Sequence, residues 1–287
     1  MVIIVVMEVK NVELLNNDAY FMEIVNNMIV VNDNYKGLII FDSELRQIRK
    51  IELIEELTIY TSFKNDNEIL LFCPDNGCFI YVNIELHKKK IIPLTEFDNY
   101  LFSTIYDWDQ GNLILSDYQG HFIKVDLNKG VLVQVDSNDT ACQNIRDDYD
   151  KLSGVKIYKV CGLEKEAFIQ FSDSNYCLVD YKQNINILQN FAKEQYHDFE
   201  AINGYLAKIG ENKVEILFNN NIEVCYSSKY YDFLKGKFML ENGEVYLFLL
   251  SGNRLDPNHI KIEKLFVQTY TENDGRMHSG TGSLFDR

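Results

Sequence analysis

Short apolar runs separated by polar turns dominate the chain. In the first copy of this pattern, Met28–Asp33 is an apolar run, Asn34–Gly37 is a turn and Leu38–Asp42 is a second run. A third run follows at Ile48–Leu53. The apolar residues are continuous or alternate with polar ones, as in β-strands, and no segment keeps a helical period of about 3.6 residues. The sequence therefore predicts an all-β protein of short antiparallel strands.

The same arrangement recurs six times along the chain. In the first four copies the second run ends at residues 42, 83, 126 and 180, which gives intervals of 41, 43 and 54 residues. The longest interval contains a polar, acidic stretch at residues 136–151, which we interpret as an insertion. A repeat of about 40–45 residues with three or four strands is typical of the blades of a β-propeller.

These repeats determine the predicted domain organisation. Six blades need roughly 240–270 residues, so we predict one β-propeller domain over residues 1–270, with six blades of about four antiparallel strands. Seven blades are the alternative and would need the whole chain. Strand Val2–Val9 is expected to close the ring beside the last blade, because this removes an open sheet edge. Residues 271–287 lose the apolar rhythm, and we expect a flexible C-terminal tail there.

The chain resembles β-propeller repeat proteins, with a WD40-like architecture in the broad sense. The resemblance rests on the repeats over residues 1–270, because no Trp-Asp or Gly-His pair marks the copies. It implies the fold, but it does not carry the partners of the WD40 family over to this sequence, since one fold supports many functions.

Charge and composition narrow the classes of partner. The 287 residues include 28 Lys and Arg against 43 Asp and Glu, a net charge of −15. Nucleic acids and anionic membranes both need a basic footprint, so we expect neither as a partner. Asn is abundant whereas Gly and Pro are sparse, at 15 and 3 residues. We therefore expect Asn and Asp to form many of the turns.

The sequence contains no pattern of export or membrane insertion. The apolar run Val2–Met7 has no basic residue before it and is followed at once by Glu8. No other run approaches about 18 uninterrupted apolar residues. We therefore expect a cytoplasmic protein whose six cysteines are free thiols. A composition rich in Asn, Ile, Lys and Tyr is associated with bacteria of low genomic GC content.

Catalytic motifs are absent from the sequence. There is no Gly-x-Ser-x-Gly nucleophile elbow and no glycine-rich nucleotide loop of the known patterns. The five histidines fall in different copies of the repeat. We therefore predict no catalytic residue, no metal ligand and no cofactor. The alternative is a propeller-type hydrolase or lyase with a metal or small-molecule site at the central channel, where residues of several blades could converge.

Acidic residues are expected to concentrate on one face of the propeller. The turns between the second and third strands of each blade emerge on the same face as the connections between blades. Each of these turns carries an acid, and the connections add Glu55, Glu56 and Glu96 among others. Asp is also a good turn residue in its own right, which is the alternative explanation. With the neighbouring tyrosines, the predicted partner-binding residues are Asp33, Tyr35, Asp75, Asp117, Tyr118, Asp173, Glu211 and Asp256.

An acidic face with aromatic residues suits a basic protein partner. Complementary charge speeds encounter, and buried aromatic side chains supply affinity. We therefore predict a non-catalytic protein-binding β-propeller. Its most concrete form is a bacterial immunity or antitoxin-like protein that neutralises a cationic toxin. A further alternative is a structural subunit whose near-neutral face docks into a larger assembly.

Overall fold

A computed structural model describes most of the chain. The described residues are 2–97, 102–117, 121–135, 157–162, 166–171, 176–180, 186–191, 196–202, 205–218, 222–256, 258–273 and 276–279. The predicted acidic insertion at residues 136–151 therefore lies entirely outside the described residues.

Strands make up nearly all of the regular structure in these residues, and the other elements are two short 3-10 turns, Pro74–Asn76 and Thr95–Phe97. In chain order the strands are β1 Val2–Leu15, β2 Met22–Val25, β3 Met28–Asp33, β4 Gly37–Phe41, β5 Gln47–Glu52, β6 Thr61–Asn65, β7 Glu68–Cys73, β8 Cys78–Asn83, β9 Lys88–Pro93, β10 Phe102–Asp109, β11 Asn112–Asp117, β12 Phe122–Asp126, β13 Val131–Gln134, β14 Ile157–Gly162, β15 Glu166–Phe171, β16 Tyr176–Asp180, β17 Asn186–Phe191, β18 Asp198–Ile202, β19 Tyr205–Ile209, β20 Lys213–Phe218, β21 Ile222–Ser227, β22 Tyr231–Glu241, β23 Glu244–Asn253, β24 Ile260–Asn273 and β25 Arg276–Ser279. The prediction of an all-β protein is confirmed.

The strands pair into antiparallel sheets, and the chain divides into two compact units. Unit 1 comprises residues 1–52 and 194–287, and unit 2 comprises residues 53–193. Unit 1 holds sheet 1 (β2–β5), sheet 5 (β18–β21) and sheet 6 (β22, β23, β24 and β1, with β25 on β24). Unit 2 holds sheet 2 (β6–β9), sheet 3 (β10–β13) and sheet 4 (β14–β17). The described residues thus contain six antiparallel sheets. Five of them consist of four consecutive strands, whereas sheet 6 is framed by β22, β23 and β24 together with the N-terminal β1.

The N-terminal strand belongs to the same sheet as the C-terminal strands. β1 pairs with β24 from Val2 opposite Glu272 to Leu15 opposite Ile260, with a bulge after Val9. The predicted strand Val2–Val9 is therefore extended to Leu15, because the pairing resumes after the bulge.

Regular structure also continues past residue 270, where the sequence predicts a tail. β24 ends only at Asn273, and β25 pairs with its last residues. The tail over residues 271–287 stays a prediction, because the structure describes only residues 271–273 and 276–279 of it.

Asparagines form many of the turns, as predicted from their abundance. Asn26, Asn27, Asn34 and Asn242 all adopt positive φ angles, between 46° and 58°. Asn tolerates this left-handed backbone better than most residues other than glycine. The confirmed prediction explains how a chain with few glycines makes so many hairpins.

Each unit has apolar cores between neighbouring sheets. In unit 1, one core lies between sheets 1 and 6 and includes Phe41 and Phe248, and a second lies between sheets 5 and 6 and includes Ile209 and Leu247. These contacts bring β22 against both β2 and β18, the first strands of sheets 1 and 5.

In unit 2 a core lies between sheets 2 and 3. Its aromatic centre is formed by Phe72, Phe79 and Phe102, whose ring centroids lie 4.9–5.6 Å apart. Such tilted and edge-to-face contacts are the favourable geometries for aromatic pairs.

Candidate partner-binding surface

The predicted partner-binding residues fall in both units, and the structure describes most of them. Asp33, Tyr35, Glu211 and Asp256 lie in unit 1, and Asp75 lies in unit 2. Asp117 is the last residue of β11, where only the backbone is described. Tyr118 and Asp173 lie outside the described residues.

The turn between β7 and β8 is joined to the connections on either side of sheet 2. The Asn76 side chain accepts a hydrogen bond from the Thr58 amide at 2.9 Å and donates to the Glu56 carbonyl at 3.0 Å. On the other side, the Leu94 amide donates to the Gly77 carbonyl at 2.9 Å. Hydrogen bonds therefore attach the connection before sheet 2 and the start of the connection after it to one turn.

Four exposed acidic residues lie in this turn and in the two connections attached to it. We call Glu55, Glu56, Asp75 and Glu96 the acidic turn patch, and all four are solvent-exposed. Tyr60 lies beside them, because its amide donates to the Phe72 carbonyl at 2.9 Å just before the turn. The Tyr60 side chain is 43% exposed while its ring edge rests against Phe72, with centroids 5.9 Å apart. This part of unit 2 thus combines dense negative charge with a supported, accessible aromatic ring.

Asp33 and Tyr35 lie together in the turn between β3 and β4, but their polar groups already have partners. Asp33 forms an ion pair with Lys50 on β5 at 2.8 Å. The Tyr35 hydroxyl donates to Asp18 at 2.9 Å, and this hydrogen bond raises the pKa of Tyr35. The Tyr35 ring stacks on Tyr20 with centroids 5.7 Å apart. The sequence does not predict Lys50 as a partner of Asp33, because Lys50 lies on β5, two strands further along the chain.

Asp256 also has intramolecular partners, in the turn between β23 and β24. It accepts hydrogen bonds from the Asn258 amide at 3.1 Å and lies 2.7 Å from Nδ1 of His259. These hydrogen bonds lower the pKa of Asp256. Glu211 is held differently, through its backbone: its carbonyl accepts a hydrogen bond from the Phe233 amide at 2.7 Å, and its side chain is exposed. Asp33 and Asp256 therefore act first as turn residues, in line with the alternative explanation of their abundance.

A buried charged cluster, not predicted from the sequence, joins the first strands of the three sheets of unit 1. Lys237 on β22 donates to Glu23 on β2 at 3.0 Å and to Glu200 on β18 at 3.1 Å. Burial alone would lower the pKa of Lys237, but Glu200, Glu23 and Asp198 together raise it well above its usual value. The only hint in the sequence is a charged residue inside an otherwise apolar run, as at Glu23.

This cluster does not fit a metal site. The Lys237 ammonium group already supplies the positive charge between Glu23 and Glu200 that a divalent cation would bring. Among the residues that the structure describes, no three His, Cys, Asp or Glu side chains converge as metal ligands. In the same residues no helix is long and apolar enough to cross a membrane.

Comparisons with known proteins identify the fold. No family model and no curated protein matches the sequence. Among solved structures, the chain is similar to selenomethionine-substituted virginiamycin B lyase from Staphylococcus aureus, with 10% identity, 91% of this chain and 99% of that chain covered, and a TM-score of 0.54. The catalytically inactive form of that lyase with quinupristin gives 10% identity, the same coverage of 91% and 99%, and a TM-score of 0.56. The Pan2 WD40 domain of Neurospora crassa gives 8% identity, coverage of 87% and 89%, and a TM-score of 0.48.

The two lyase comparisons and the sheet topology together show that this chain has a β-propeller fold. The predicted fold class and the resemblance to propeller repeat proteins are confirmed. At about a tenth identity these comparisons carry the fold and no activity. The number of six blades stays a prediction.

Proposed function

We propose that this protein is a non-catalytic protein-binding β-propeller that uses acidic loops to bind a cationic protein partner. The observation that carries the proposal is the acidic turn patch of sheet 2 with Tyr60 beside it. Clustered carboxylates attract a basic surface over a distance of about 10 Å, close to the screening length at physiological salt. Once the partner has docked, an aromatic side chain such as Tyr60 contributes contact area at a small cost in conformational entropy.

The acidic turn patch is a better centre for this interface than Asp33 and Asp256 of unit 1. Asp33 and Asp256 each lie within 2.8 Å of a basic side chain of the same protein, Lys50 and His259. A partner's lysine or arginine would have to compete with these contacts. Asp75 is the predicted residue whose surroundings best match the role.

The narrower proposal is an immunity or antitoxin-like protein that covers a basic toxin. Its support is the net charge of −15 and the lack of catalytic motifs in the sequence. It predicts that the partner is a strongly basic protein with a toxic activity, and that co-expression of this chain restores growth to cells that produce the partner.

The first experiment is an affinity purification from the organism that encodes the protein, at low and at raised salt, followed by binding measurements with the purified partner. We expect a stoichiometric basic protein that salt releases. Replacing Glu55, Glu56 and Asp75 together by Lys should then weaken binding at least about tenfold, or about 1.4 kcal/mol.

The control is Glu85→Lys, which reverses the charge of one exposed residue in the turn between β8 and β9, at the other end of sheet 2. It should leave the affinity within about twofold, because its charge lies outside the proposed interface. Equal affinities for the triple variant and the wild type would contradict the proposal.

An enzyme of propeller type, a hydrolase or lyase with a small-molecule site at the central channel, is the alternative. The observation that favours it is the buried charged cluster of Glu23, Glu200 and Lys237 on the first strands of their sheets. Burying charged side chains costs folding free energy, and such groups are common at functional sites. Thermal stabilisation by a lactone or glycoside that is lost in Glu200→Gln, but kept in Asp75→Lys, would support this alternative over the protein-binding proposal.

A further inference from the structure

Two buried cysteines face each other across the turn that carries Asp75. Cys73 ends β7 and Cys78 begins β8, and the two are direct partners in the antiparallel register. Side chains of directly opposed residues lie on the same side of a sheet. Both are free thiols, with exposures of 0% and 4%.

The backbone places this pair within reach of a disulfide. At the other end of the same register the Ile84 amide donates to the Asn67 carbonyl at 2.9 Å. Hydrogen-bonded pairs recur at every second residue of an antiparallel ladder, so Cys73 and Cys78 also form a hydrogen-bonded pair. Its Cα atoms are then about 5.5 Å apart, inside the range of about 4.4–6.8 Å that disulfides span.

The same geometry makes the bond easy to reduce. In a hydrogen-bonded pair the Cβ atoms stand about 5.5 Å apart, beyond the range of about 3.5–4.5 Å in disulfides, so closing the bond requires the backbone to move and stores strain. Strained disulfides have the higher reduction potentials of labile and regulatory bonds. The turn between the two cysteines, with Gly77 at φ 61°, is the part of the hairpin that can adjust when the bond closes.

We propose that Cys73 and Cys78 form a reversible cross-strand disulfide when a peroxide oxidises the protein. One thiolate attacks a peroxide oxygen and becomes a sulfenic acid, and the other oxygen leaves as water when hydrogen peroxide is the oxidant. The second thiol then displaces the sulfenic oxygen as a second water and closes the S–S bond. Two electrons pass from the two sulfurs to the O–O bond, and both thiol protons leave in the two waters. A dithiol reverses the reaction by exchange.

Burial sets the rate of this reaction. It raises the pKa of Cys73, with a smaller contribution from neighbouring Cys78, and it also raises the pKa of Cys78. The thiolate is therefore scarce near neutral pH, and oxidation should be slow and should accelerate as the pH rises. The proposal does not depend on the proposed function, although the disulfide would clamp the turn that carries Asp75.

The test is mass spectrometry of the whole chain after treatment with hydrogen peroxide and denaturing alkylation. We expect the wild type to lose two hydrogens and two alkylation sites, and dithiothreitol to restore both. Cys73→Ser and Cys78→Ser should abolish the loss, while Cys225→Ser, which removes an exposed thiol, should retain it.

A peptide map of the wild type keeps the test independent of how the variants fold. The tryptic peptide of residues 65–88 contains Cys73 and Cys78 and no other cysteine. The two thiols should become protected from alkylation together. Full alkylation of this peptide after oxidation, added oxygen atoms on it, or a bond from it to any other cysteine would each overturn the proposal.

Discussion

Lys237 and Glu23 form an ion pair of 3.0 Å that joins the first strand of sheet 6 to the first strand of sheet 1. Lys237 also reaches Glu200 on the first strand of sheet 5 at 3.1 Å. The side chains of Lys237 and Glu23 are only 12% and 8% exposed. A single lysine thus balances carboxylates from two other sheets of unit 1.

We expect Lys237→Met to destabilise the protein by about 3–5 kcal/mol, because it leaves buried carboxylates without their counter-charge. Chemical denaturation near pH 7 measures this loss. Lys235→Met, two residues along the same strand, is the control and should cost less than about 1 kcal/mol. A Lys237→Met deficit no larger than that of Lys235→Met would contradict this account.

Asn32 connects the segment before sheet 1 to the turn that carries Tyr35. Its side chain is fully buried. Its Oδ1 atom accepts hydrogen bonds from the backbone amides of Tyr20 and Phe21, and its Nδ2 atom donates to the backbone carbonyls of Asp18 and Asn34, all at 2.8 Å. One asparagine thereby satisfies four backbone groups.

Replacing Asn32 by Ala should therefore cost about 2–4 kcal/mol, since buried backbone groups lose their partners at about 1 kcal/mol each. Hydrogen exchange is the specific measurement. The amides of Tyr20 and Phe21 should lose protection well before the rest of sheet 1. If these two amides keep their protection in the variant, the side chain does not hold this segment.

The strands can be predicted from sequence patterns far better than the contacts between charged side chains can. The run Met28–Asp33 coincides with β3, because an apolar run bounded by turn residues has few other interpretations. The apolar stretch Leu57–Ser62 also indicates a strand when the sequence is considered alone, but it overlaps β6 at only two residues. The buried side chains of Leu57 and Ile59 belong instead to the connection before β6. Burial alone does not distinguish the two cases.

The candidate site shows the same division. Asp75 is predicted from its turn, and its neighbours Glu55, Glu56 and Glu96 from the connections of the predicted blades. The ion pair of Asp33 with Lys50 depends instead on strand register and rotamer, which the order of residues does not specify. The cluster around Lys237 depends on contacts between sheets that are distant in sequence.

Gly37 is required because its strand passes too close to β5 for any side chain. A Cβ at this position would lie 2.1 Å from the Ile51 carbonyl oxygen, a backbone atom that cannot turn aside. Gly37→Ala should cost about 1–3 kcal/mol or more, through displacement of β5. The matched control is Gly252→Ala, where the nearest atom is the end of the Ile260 side chain at 3.3 Å. Thermal unfolding of the two variants compares them directly, and equal melting temperatures would contradict the prediction.

Glu215 should make the stability of sheet 5 sensitive to acid. It lies opposite Lys208 in the register of β19 and β20 and binds Lys208 at 2.8 Å and Lys213 at 2.9 Å. The Tyr196 hydroxyl also donates to it. Burial alone would raise the pKa of Glu215, but hydrogen bonds from Lys208, Tyr196 and Lys213 lower it to about 2, from an ordinary value of 4.5.

A carboxyl group with a lowered folded-state pKa stabilises the protein above its unfolded-state pKa and loses this contribution as the pH falls through the folded-state value. We therefore expect Glu215→Gln to lower the free energy of unfolding by about 2–3 kcal/mol near pH 7. The difference from the wild type should shrink between about pH 4.5 and pH 2, where Glu215 itself becomes neutral. Urea denaturation across this pH range measures it. Glu56→Gln, on an exposed loop, is the control and should change the free energy of unfolding by less than about 0.5 kcal/mol near pH 7. A Glu215→Gln deficit that stays constant from neutral pH down to about pH 2 would mean that the cost comes from lost packing and not from the charge, because only the charged form of Glu215 is lost on acidification.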